Sequence, residues 1–226
     1  SSAASDVYKR QALDAGVIAG KKHVNFPGAK IKLPTITAKD RKDIKEGLKL
    51  GVDFIALSFV RSDKDVQELS SLLKRVKNKP EIFAKIEDQQ GMDSIEVITK
   101  HSDGLLVARG DLGIETDITN LPYVQRKMVK VALQSGKKCI VATQLLESMV
   151  TNPHPTRAEV SDVANAVYEG ADALMLSAET TVGDFPLKCV KYLSDIAKNA
   201  ERSETLHFEN NMKSVSDWHT LASTSV

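Results

Sequence analysis

The sequence predicts an α/β protein in which about five buried parallel strands alternate with helices. Five apolar runs of strand length lack the alternation of a half-exposed strand, which is typical of strands buried on both faces of a parallel sheet. Helical periodicity marks the segments between these runs. The chain has 226 residues, of which 42% are hydrophobic, and this is enough for one sizeable core.

The helix starts in this pattern carry recognisable caps. Thr37 with Asp40 three residues later predicts an N-cap, and Thr156 with Glu159 predicts a capping box. Pro186 suits the first position of the last helix. In chain order we predict helix 37–50, strand 53–59, helix 62–76, strand 81–86, helix 91–100, strand 104–108, helix 121–135, strand 139–143, helix 156–169, strand 173–177 and helix 186–201.

The charge balance and the cysteine content exclude several classes of protein. Lys and Arg total 31 against 30 Asp and Glu, a formal net charge of +1, so binding to nucleic acid, which needs a basic face, is not expected. No run of 18 apolar residues occurs, so the sequence predicts no membrane span. Cys139 lies in an apolar run and Cys189 in a helical pattern, and both are expected to be reduced, intracellular thiols.

The two ends of the chain differ from the region between them. Residues 1–11 carry no apolar periodicity and lack the apolar core of a secretory signal, so we expect a disordered leader or an artefact there. The tail over 204–226 is polar and irregular, with Trp218 isolated. We therefore predict one domain over 12–203, flanked by two segments outside its core.

Polar side chains follow every predicted strand at its carboxyl end. In chain order they are Ser58 and Arg61, then Lys85 and Glu87, then Arg109, Gly110 and Asp111, then Thr143 and Gln144, and finally Ser177, Glu179 and Thr180. An open, doubly wound sheet gathers its ligands mainly at one switch point, whereas a β/α barrel collects residues from many strand ends around one mouth. The pattern therefore favours the barrel over the doubly wound sheet.

Three of these residues predict a particular chemistry. Glu87 and Asp111 lie on successive strand ends, and hard oxygen ligands of this kind suit Mg²⁺ or Mn²⁺. Lys85 and Glu87 are two residues apart, so in an extended segment their side chains point the same way. A lysine beside a divalent cation suits a phosphoryl or enolate oxygen. The glycine at Gly110 would let a backbone N–H approach an anion closely.

Each of these residues also has an ordinary structural explanation. Lys85 and Glu87 could belong to a solvated edge strand, and Asp111 could merely cap the next helix. Thr143 and Ser177 could be strand-end hydroxyls bonded to the backbone, and an arginine such as Arg109 is most often a structural ion-pair partner. The occurrence of such residues at five strand ends together favours a functional site.

Several motifs in the same order resemble the pyruvate kinase family. They are Lys85-Ile86-Glu87, the VARGDLG segment at 107–113, the ATQLLESM segment at 142–149, the PTRAEVSDVANAV segment at 155–167 and the MLSAET segment at 175–180. Residues 24–28, VNFPG, are similar to the point where the chain of that family returns from an inserted lid domain into the barrel. The resemblance covers about residues 12–203.

The resemblance implies a TIM (β/α)8 barrel, here a partial barrel of about five βα units that correspond to strands four to eight. It implies Mg²⁺-dependent transfer of a phosphoryl group from phosphoenolpyruvate to ADP, which gives pyruvate and ATP in glycolysis. Lys85 matches the lysine that stabilises the transferring phosphoryl group, and Glu87 and Asp111 match the carboxylates that hold Mg²⁺ or Mn²⁺. The backbone at Gly110 and Asp111, with the Thr143 hydroxyl, matches the site for the substrate carboxylate.

The resemblance implies further roles and leaves some of them open. Thr143 also matches the place where enolpyruvate is protonated, and Ser58 and Ser177 lie in matching segments as candidate substrate-binding residues. K⁺ is implied by the family, but the segments that carry its ligands are not in this chain. The family is typically a cytoplasmic homotetramer, with plastid forms in plants.

The resemblance also shows what this chain lacks relative to the family. The first three strands, nearly all of the lid and the C-terminal domain with its usual effector site are not present, so we expect the chain to be a fragment that is inactive alone. Two other functions stay open at this point. One is a non-catalytic barrel scaffold that binds phosphoenolpyruvate or Mg²⁺, and the other is a related metal-dependent, pyruvate-handling lyase.

Overall fold

The computed structural model describes residues 16–17 and 34–203. Within these residues the elements are α1 Ala38–Leu50, β1 Phe54–Leu57, α2 Asp63–Leu72, β2 Glu81–Ile86, α3 Gln89–Asp93, α4 Ile95–His101, β3 Gly104–Ala108, α5 Arg109–Glu115, α6 Leu121–Gln134, β4 Lys138–Ala142, α7 Arg157–Tyr168, β5 Ala173–Met175, α8 Ala178–Thr181 and α9 Pro186–Arg202. Short 3-10 turns lie at Ile118–Asn120 and Glu147–Val150. The predicted alternation of strands and helices is confirmed.

The five strands form one parallel sheet in the order β1-β2-β3-β4-β5. Each strand pairs with the next one along the chain, and at least one helix lies in every connection, because parallel neighbours cannot be joined by a tight hairpin. The order of a doubly wound sheet reverses at a switch point, and this one does not. The fold is therefore α/β with five βα units, consistent with part of a TIM-type barrel, as predicted.

Two helix starts confirm the caps predicted from the sequence. The Thr37 side chain accepts a hydrogen bond from the Asp40 N–H while the Asp40 carboxylate bonds back to Thr37, which completes a capping box. Thr156 and Glu159 form the same reciprocal pair before α7. Pro186 occupies the first turn of α9. These local contacts satisfy N–H groups that the first turn of a helix leaves without intrahelical partners.

The core lies on both sides of the central strand. All five residues of β3 are buried. Leu105 and Val107 belong to the large cluster shared with the helices, while Leu106 and Ala108 pack with Ala142 on the other face of the sheet. A strand that is buried on both faces has a continuous apolar sequence. This explains why β3 was predictable from the sequence.

Several predicted elements differ in extent from the observed ones. The outer strands β1 and β5 are shorter than predicted and carry exposed residues, because in the described part of the chain each has a neighbouring strand on one side only. The helix predicted over 91–100 is divided at Ser94, which ends α3 and begins α4. The short helices α5 and α8 were not predicted, since α5 begins directly after β3 and α8 begins only three residues after the end of β5.

Some predictions concern residues outside the described ranges. These are the leader over 1–11, the VNFPG segment at 24–28 and the tail over 204–226. The domain boundaries at 12 and 203 therefore stay predictions. Among the described helices, none is both long and apolar enough to cross a bilayer.

Both cysteines are free and buried. Burial, together with the charges of Asp172 and Glu169, raises the pKa of the Cys139 thiol to about 12. Burial also raises the pKa of the Cys189 thiol. Thiols that stay protonated at neutral pH are poor nucleophiles, so both cysteines act as small core residues.

Candidate functional site

Lys85, Glu87 and Asp111 lie together at the carboxyl edge of the sheet and are called the Lys85 cluster below. Lys85 is in β2, Glu87 directly follows that strand, and Asp111 lies in the first turn of α5 after β3. The Lys85 Nζ atom lies 2.6 Å from Glu87 Oε1 and 3.9 Å from Asp111 Oδ2. One ammonium group therefore lies between two carboxylates from neighbouring strand ends, and the structure brings these three predicted site residues together.

Glu87 is the most enclosed member of the Lys85 cluster, with 2% of its side chain exposed. Its Oε1 accepts a hydrogen bond from Lys85, and its Oε2 accepts one from the Phe59 N–H at 2.6 Å. Burial raises the pKa of the Glu87 carboxyl, although Lys85 and the Phe59 N–H act in the opposite direction. Burial therefore disfavours the charged form of Glu87, while the Lys85 ammonium group and the Phe59 N–H favour it.

Asp111 is the open member of the Lys85 cluster, with 43% of its side chain exposed. In the described residues no group of three or more His, Cys, Asp or Glu side chains is arranged to hold a metal ion. Mg²⁺, however, is commonly held by one or two carboxylates, with waters and substrate oxygens completing its shell. Glu87 and Asp111 both contact the Lys85 ammonium group, and two carboxylates placed in this way fit the donor set that Mg²⁺ prefers.

Thr143 follows β4 in a conformation that a β-branched residue rarely adopts, with φ 68°. Its Oγ1 accepts a hydrogen bond of 2.8 Å from the Gly110 N–H, which joins the ends of β3 and β4. Because that oxygen accepts from Gly110, its own proton remains free to be donated to another acceptor. The predicted Gly110 and Thr143 are therefore adjacent, with the Gly110 N–H directed at the threonine.

Arg109 contacts three parts of the molecule from a buried position, with 7% of its side chain exposed. Its Nε and Nη2 donate to the Thr143 carbonyl oxygen at 3.1 and 2.7 Å. Its Nη1 donates to both carboxylate oxygens of Asp162 at 2.8 and 2.7 Å, and to Gln125 Oε1 at 3.3 Å. Arg109 therefore forms the ion pair that its ordinary structural explanation predicts, and it also binds the backbone beside Thr143.

Ser58 and Ser177 lie at the same edge of the sheet, after β1 and β5. Within residues 34–203 the structure joins neither side chain to the Lys85 cluster by a hydrogen bond. The Ser177 N–H donates to Glu179 Oε2 at 2.8 Å, and the Ser177 carbonyl accepts from Thr181. Their roles in substrate binding stay predictions.

Glu179 is a fully buried carboxylate that links β5 to the segment after β4. Its Oε1 accepts from the Leu146 N–H at 3.1 Å, and its Oε2 accepts from the Ser177 N–H. Backbone amides of two neighbouring strand ends thus share one side chain. The sequence placed Glu179 at a strand end but carried no signal for this role.

Glu159 fixes the far end of the segment that follows β4. Beyond its capping contacts with Thr156, it accepts hydrogen bonds from the N–H and the Oγ of Ser148 at 2.7 and 2.5 Å. Burial opposes ionisation, but the hydrogen bonds from Ser148 and Thr156 outweigh it and lower the pKa of Glu159. The sequence identified the capping box but not the contact with Ser148.

Two contributors to the site have no signal in the sequence. Phe59 supplies a backbone N–H to Glu87 and has φ 54°. Gln125 lies on α6 and contacts Arg109 and Glu169. A backbone amide carries no sequence signal, and a glutamine in an amphipathic helix looks like any solvated position.

A family model described as "Pyruvate kinase, barrel domain" matches residues 2–190 of the chain. Curated proteins give the same result. A pyruvate kinase of Staphylococcus epidermidis is 50% identical over 192 residues, and one of Staphylococcus aureus is 49% identical over the same length. These alignments cover 85% of this chain and 33% of each relative, so the chain spans about a third of their length.

A solved structure agrees with the sequence comparisons. The crystal structure of a pyruvate kinase from Cryptosporidium parvum matches with a TM-score of 0.77 and 42% identity, and covers 79% of this chain and 38% of that one. The arrangement of β/α units therefore has its counterpart in that pyruvate kinase.

Proposed function

This chain belongs to the pyruvate kinase family through its barrel domain, and from that premise we propose that a complete protein carrying it transfers a phosphoryl group from phosphoenolpyruvate to ADP. The products are pyruvate and ATP, and the reaction is a step of glycolysis. The observation that carries the proposal is the Lys85 cluster, in which one ammonium group lies between two carboxylates at the carboxyl edge of the sheet.

Lys85 is the residue we assign to the migrating phosphoryl group. Negative charge spreads over the phosphoryl oxygens during transfer, and a fixed cation in a partly enclosed site stabilises that charge. With 23% of its side chain exposed, Lys85 is enclosed enough to be held and open enough to meet a substrate. Its contact with Glu87 fixes the ammonium group beforehand.

Glu87 and Asp111 are the residues that would hold Mg²⁺ or Mn²⁺. When bound, the divalent ion supplies charge neutralisation at the phosphate and enolate oxygens. Glu87 offers a buried carboxylate that already contacts a cation, and Asp111 offers an open one. These properties support the assignment of both carboxylates.

Thr143 is assigned to the carboxylate end of the substrate and to the protonation of the enolate. Its hydroxyl accepts from Gly110, so its proton can be donated to a substrate oxygen or to a water. In this arrangement the Gly110 N–H orients the Thr143 hydroxyl, and the hydroxyl contacts the substrate. A direct contact of the Gly110 and Asp111 backbone with the substrate carboxylate stays a prediction.

Other properties of the complete protein also follow from family membership alone. We expect K⁺ as a second cation, a homotetramer and a cytoplasmic location, with a plastid as the alternative. The comparisons do not favour a scaffold or a lyase, because the relatives named above are all pyruvate kinases.

The test is a coupled assay of ADP phosphorylation with Mg²⁺ and K⁺. We would assay the chain alone and a completed enzyme, in which this chain replaces the matching segment of the Staphylococcus aureus relative. We expect the chain alone to remain at background and the completed enzyme to turn over in a Mg²⁺-dependent way.

Two controls make this assay decisive. The unmodified Staphylococcus aureus enzyme serves as the positive control, and Ca²⁺ in place of Mg²⁺ tests the cation requirement. A folded completed enzyme that binds phosphoenolpyruvate but makes no ATP would favour the scaffold and reject the proposed function. Family-like turnover by the chain alone would instead reject its expected inactivity.

A further inference from the structure

Thr143 and Gln144 form a backbone turn that needs an external restraint. Their φ angles are 68° and 54°, in the left-handed region that residues with a Cβ atom rarely adopt. Two such residues in succession persist only where the surroundings hold them. The position of the Thr143 hydroxyl therefore depends on whatever fixes this turn.

One restraint on the Thr143 backbone comes from the Arg109 side chain. Arg109 places two of its N–H donors, Nε and Nη2, on the carbonyl oxygen of Thr143. That carbonyl is part of the peptide between Thr143 and Gln144, so fixing it fixes ψ of the first residue and φ of the second. A guanidinium group can do this because its donors form a rigid planar fork.

The Arg109 fork is itself held at its other side. Asp162 on α7 accepts two hydrogen bonds from Nη1, and Gln125 on α6 accepts a third. Two helices therefore fix the guanidinium and supply its counter-charge. A buried guanidinium group that has hydrogen-bond partners on both sides is held in one orientation.

Three consecutive residues connect Thr143 to the Lys85 cluster. The Arg109 side chain fixes the Thr143 carbonyl, the Gly110 N–H donates to the Thr143 hydroxyl, and Asp111 lies next to Lys85. All three residues lie in the first turn of α5. The distance between the hydroxyl and the ammonium group is thus set by one short helical segment.

Resting on the proposed function, we propose that Arg109 is a positioning residue that sets the place of the Thr143 hydroxyl relative to the Lys85 cluster. It acts through the Thr143 carbonyl and does not touch the substrate. Its loss moves the hydroxyl without removing it, and it leaves the metal-binding carboxylates in place. The effect is therefore specific to the phosphoenolpyruvate end of the reaction.

The test uses Arg109→Lys in the completed enzyme, because lysine keeps the charge but loses the fork. We expect kcat/KM for phosphoenolpyruvate to fall by about 10- to 100-fold, the usual consequence of a misplaced group. Part of this fall in kcat/KM should come from a higher KM for phosphoenolpyruvate. The KM for ADP and the affinity for Mn²⁺ should stay within about twofold of the parent enzyme. A merely structural role would lower kcat and leave both KM values unchanged.

A double-mutant cycle identifies the group through which Arg109 acts. In a Thr143→Ala background the hydroxyl is already gone, so Arg109→Lys should cost less than about threefold. Arg41→Lys is the matched control, since Arg41 forms an ion pair with Glu68 on the helical surface. Asp162→Asn is the second variant if Arg109→Lys does not fold, and it should shift the same parameters by a smaller factor.

The outcomes separate this inference from the proposed function. An inactive parent enzyme overturns the proposed function, whereas an active parent that tolerates Arg109→Lys overturns only the positioning role. The positioning role also fails if the effect of Arg109→Lys is the same in the Thr143→Ala background. Near-complete loss of that effect in the double mutant, with Arg41→Lys unchanged, supports it.

Discussion

The turns at the two ends of the sheet both use left-handed backbone, but they place different residues there. At the amino end, Gly51 precedes β1 with φ 73° and Gly136 precedes β4 with φ 62°. At the carboxyl end, the same conformation is taken by Phe59, Thr143 and Gln144. Glycine adopts this region without penalty, so the amino-end turns are relaxed and the carboxyl-end turns are strained.

The lysine–glutamate pairs at the two ends differ in the same direction. Lys138 and Glu81 join β4 to β2 at the amino end, with 52% and 40% of their side chains exposed. Lys85 and Glu87 are 23% and 2% exposed. A surface ion pair is worth little, while a buried one responds strongly to the loss of either partner. The carboxyl end therefore concentrates both strain and enclosed charge, as expected of a functional edge.

The largest contrast should come from removing the lysine at each end of the completed enzyme. We expect Lys85→Met to reduce phosphoryl transfer by about 1000-fold or more, the scale found for groups that stabilise developing negative charge. Mg²⁺ binding should remain largely intact, because Glu87 and Asp111 are kept. The coupled assay and a Mn²⁺ titration measure the two effects.

Lys138→Met is the control at the amino end, and its turnover should stay within about twofold of the parent. Near-normal turnover of Lys85→Met would reject the role given to Lys85. Equal losses in the two variants would remove the functional distinction between the ends.

The next contrast is smaller. It compares the stability lost when the Glu179 carboxylate is removed with the stability lost when the Glu81 carboxylate is removed. Glu179→Ala leaves the buried Leu146 N–H and the half-buried Ser177 N–H without their acceptor, so we expect a loss of about 2–4 kcal/mol in the free energy of unfolding. Glu81→Ala removes a partly exposed pair and should cost less than about 1 kcal/mol. Urea denaturation of the completed enzyme compares the two. A smaller loss for Glu179→Ala than for Glu81→Ala would contradict this account of the buried carboxylate.

The smallest contrast tests the backbone strain itself. A Cβ atom at Gly136 would meet no heavy atom within 4 Å, so Gly136→Ala isolates the cost of the left-handed conformation, about 1 kcal/mol of stability. Gln144→Gly relieves a similar strain, but glycine also adds freedom to the unfolded chain, so the net change should be below about 0.5 kcal/mol. Thermal unfolding resolves the difference. If Gly136→Ala is as stable as the parent and Gln144→Gly is clearly less stable, the assignment of strain to the carboxyl-end turns is wrong.

Much of the fold was readable from the chain because its signals are local. The central strands are continuous apolar runs, and the boxes at Thr37 and Thr156 mark helix starts by contacts only three residues long. The outer strands and α5 were predicted less well. The burial of an outer strand depends on neighbours that are distant in sequence, and so does the start of a helix at the end of a strand.

The candidate site was predictable where side chains carry the chemistry. The spacing of Lys85 and Glu87 indicated a shared direction, and the position of Asp111 after the next strand indicated its approach to them. The amide of Phe59 and the contacts of Gln125 were not predictable, since a backbone N–H has no signature and a polar helix residue has many possible partners.

The sequence by itself determined the β/α succession, the family and the residue types at the strand ends, because periodicity, capping and motif order are properties of adjacent residues. Only the tertiary structure decided how enclosed each charge is, which atoms share a hydrogen bond and where the backbone is strained. Arg109 shows the reason most clearly. Its partners Gln125, Thr143 and Asp162 lie 16, 34 and 53 residues further along the chain, and only folding brings them to one guanidinium group.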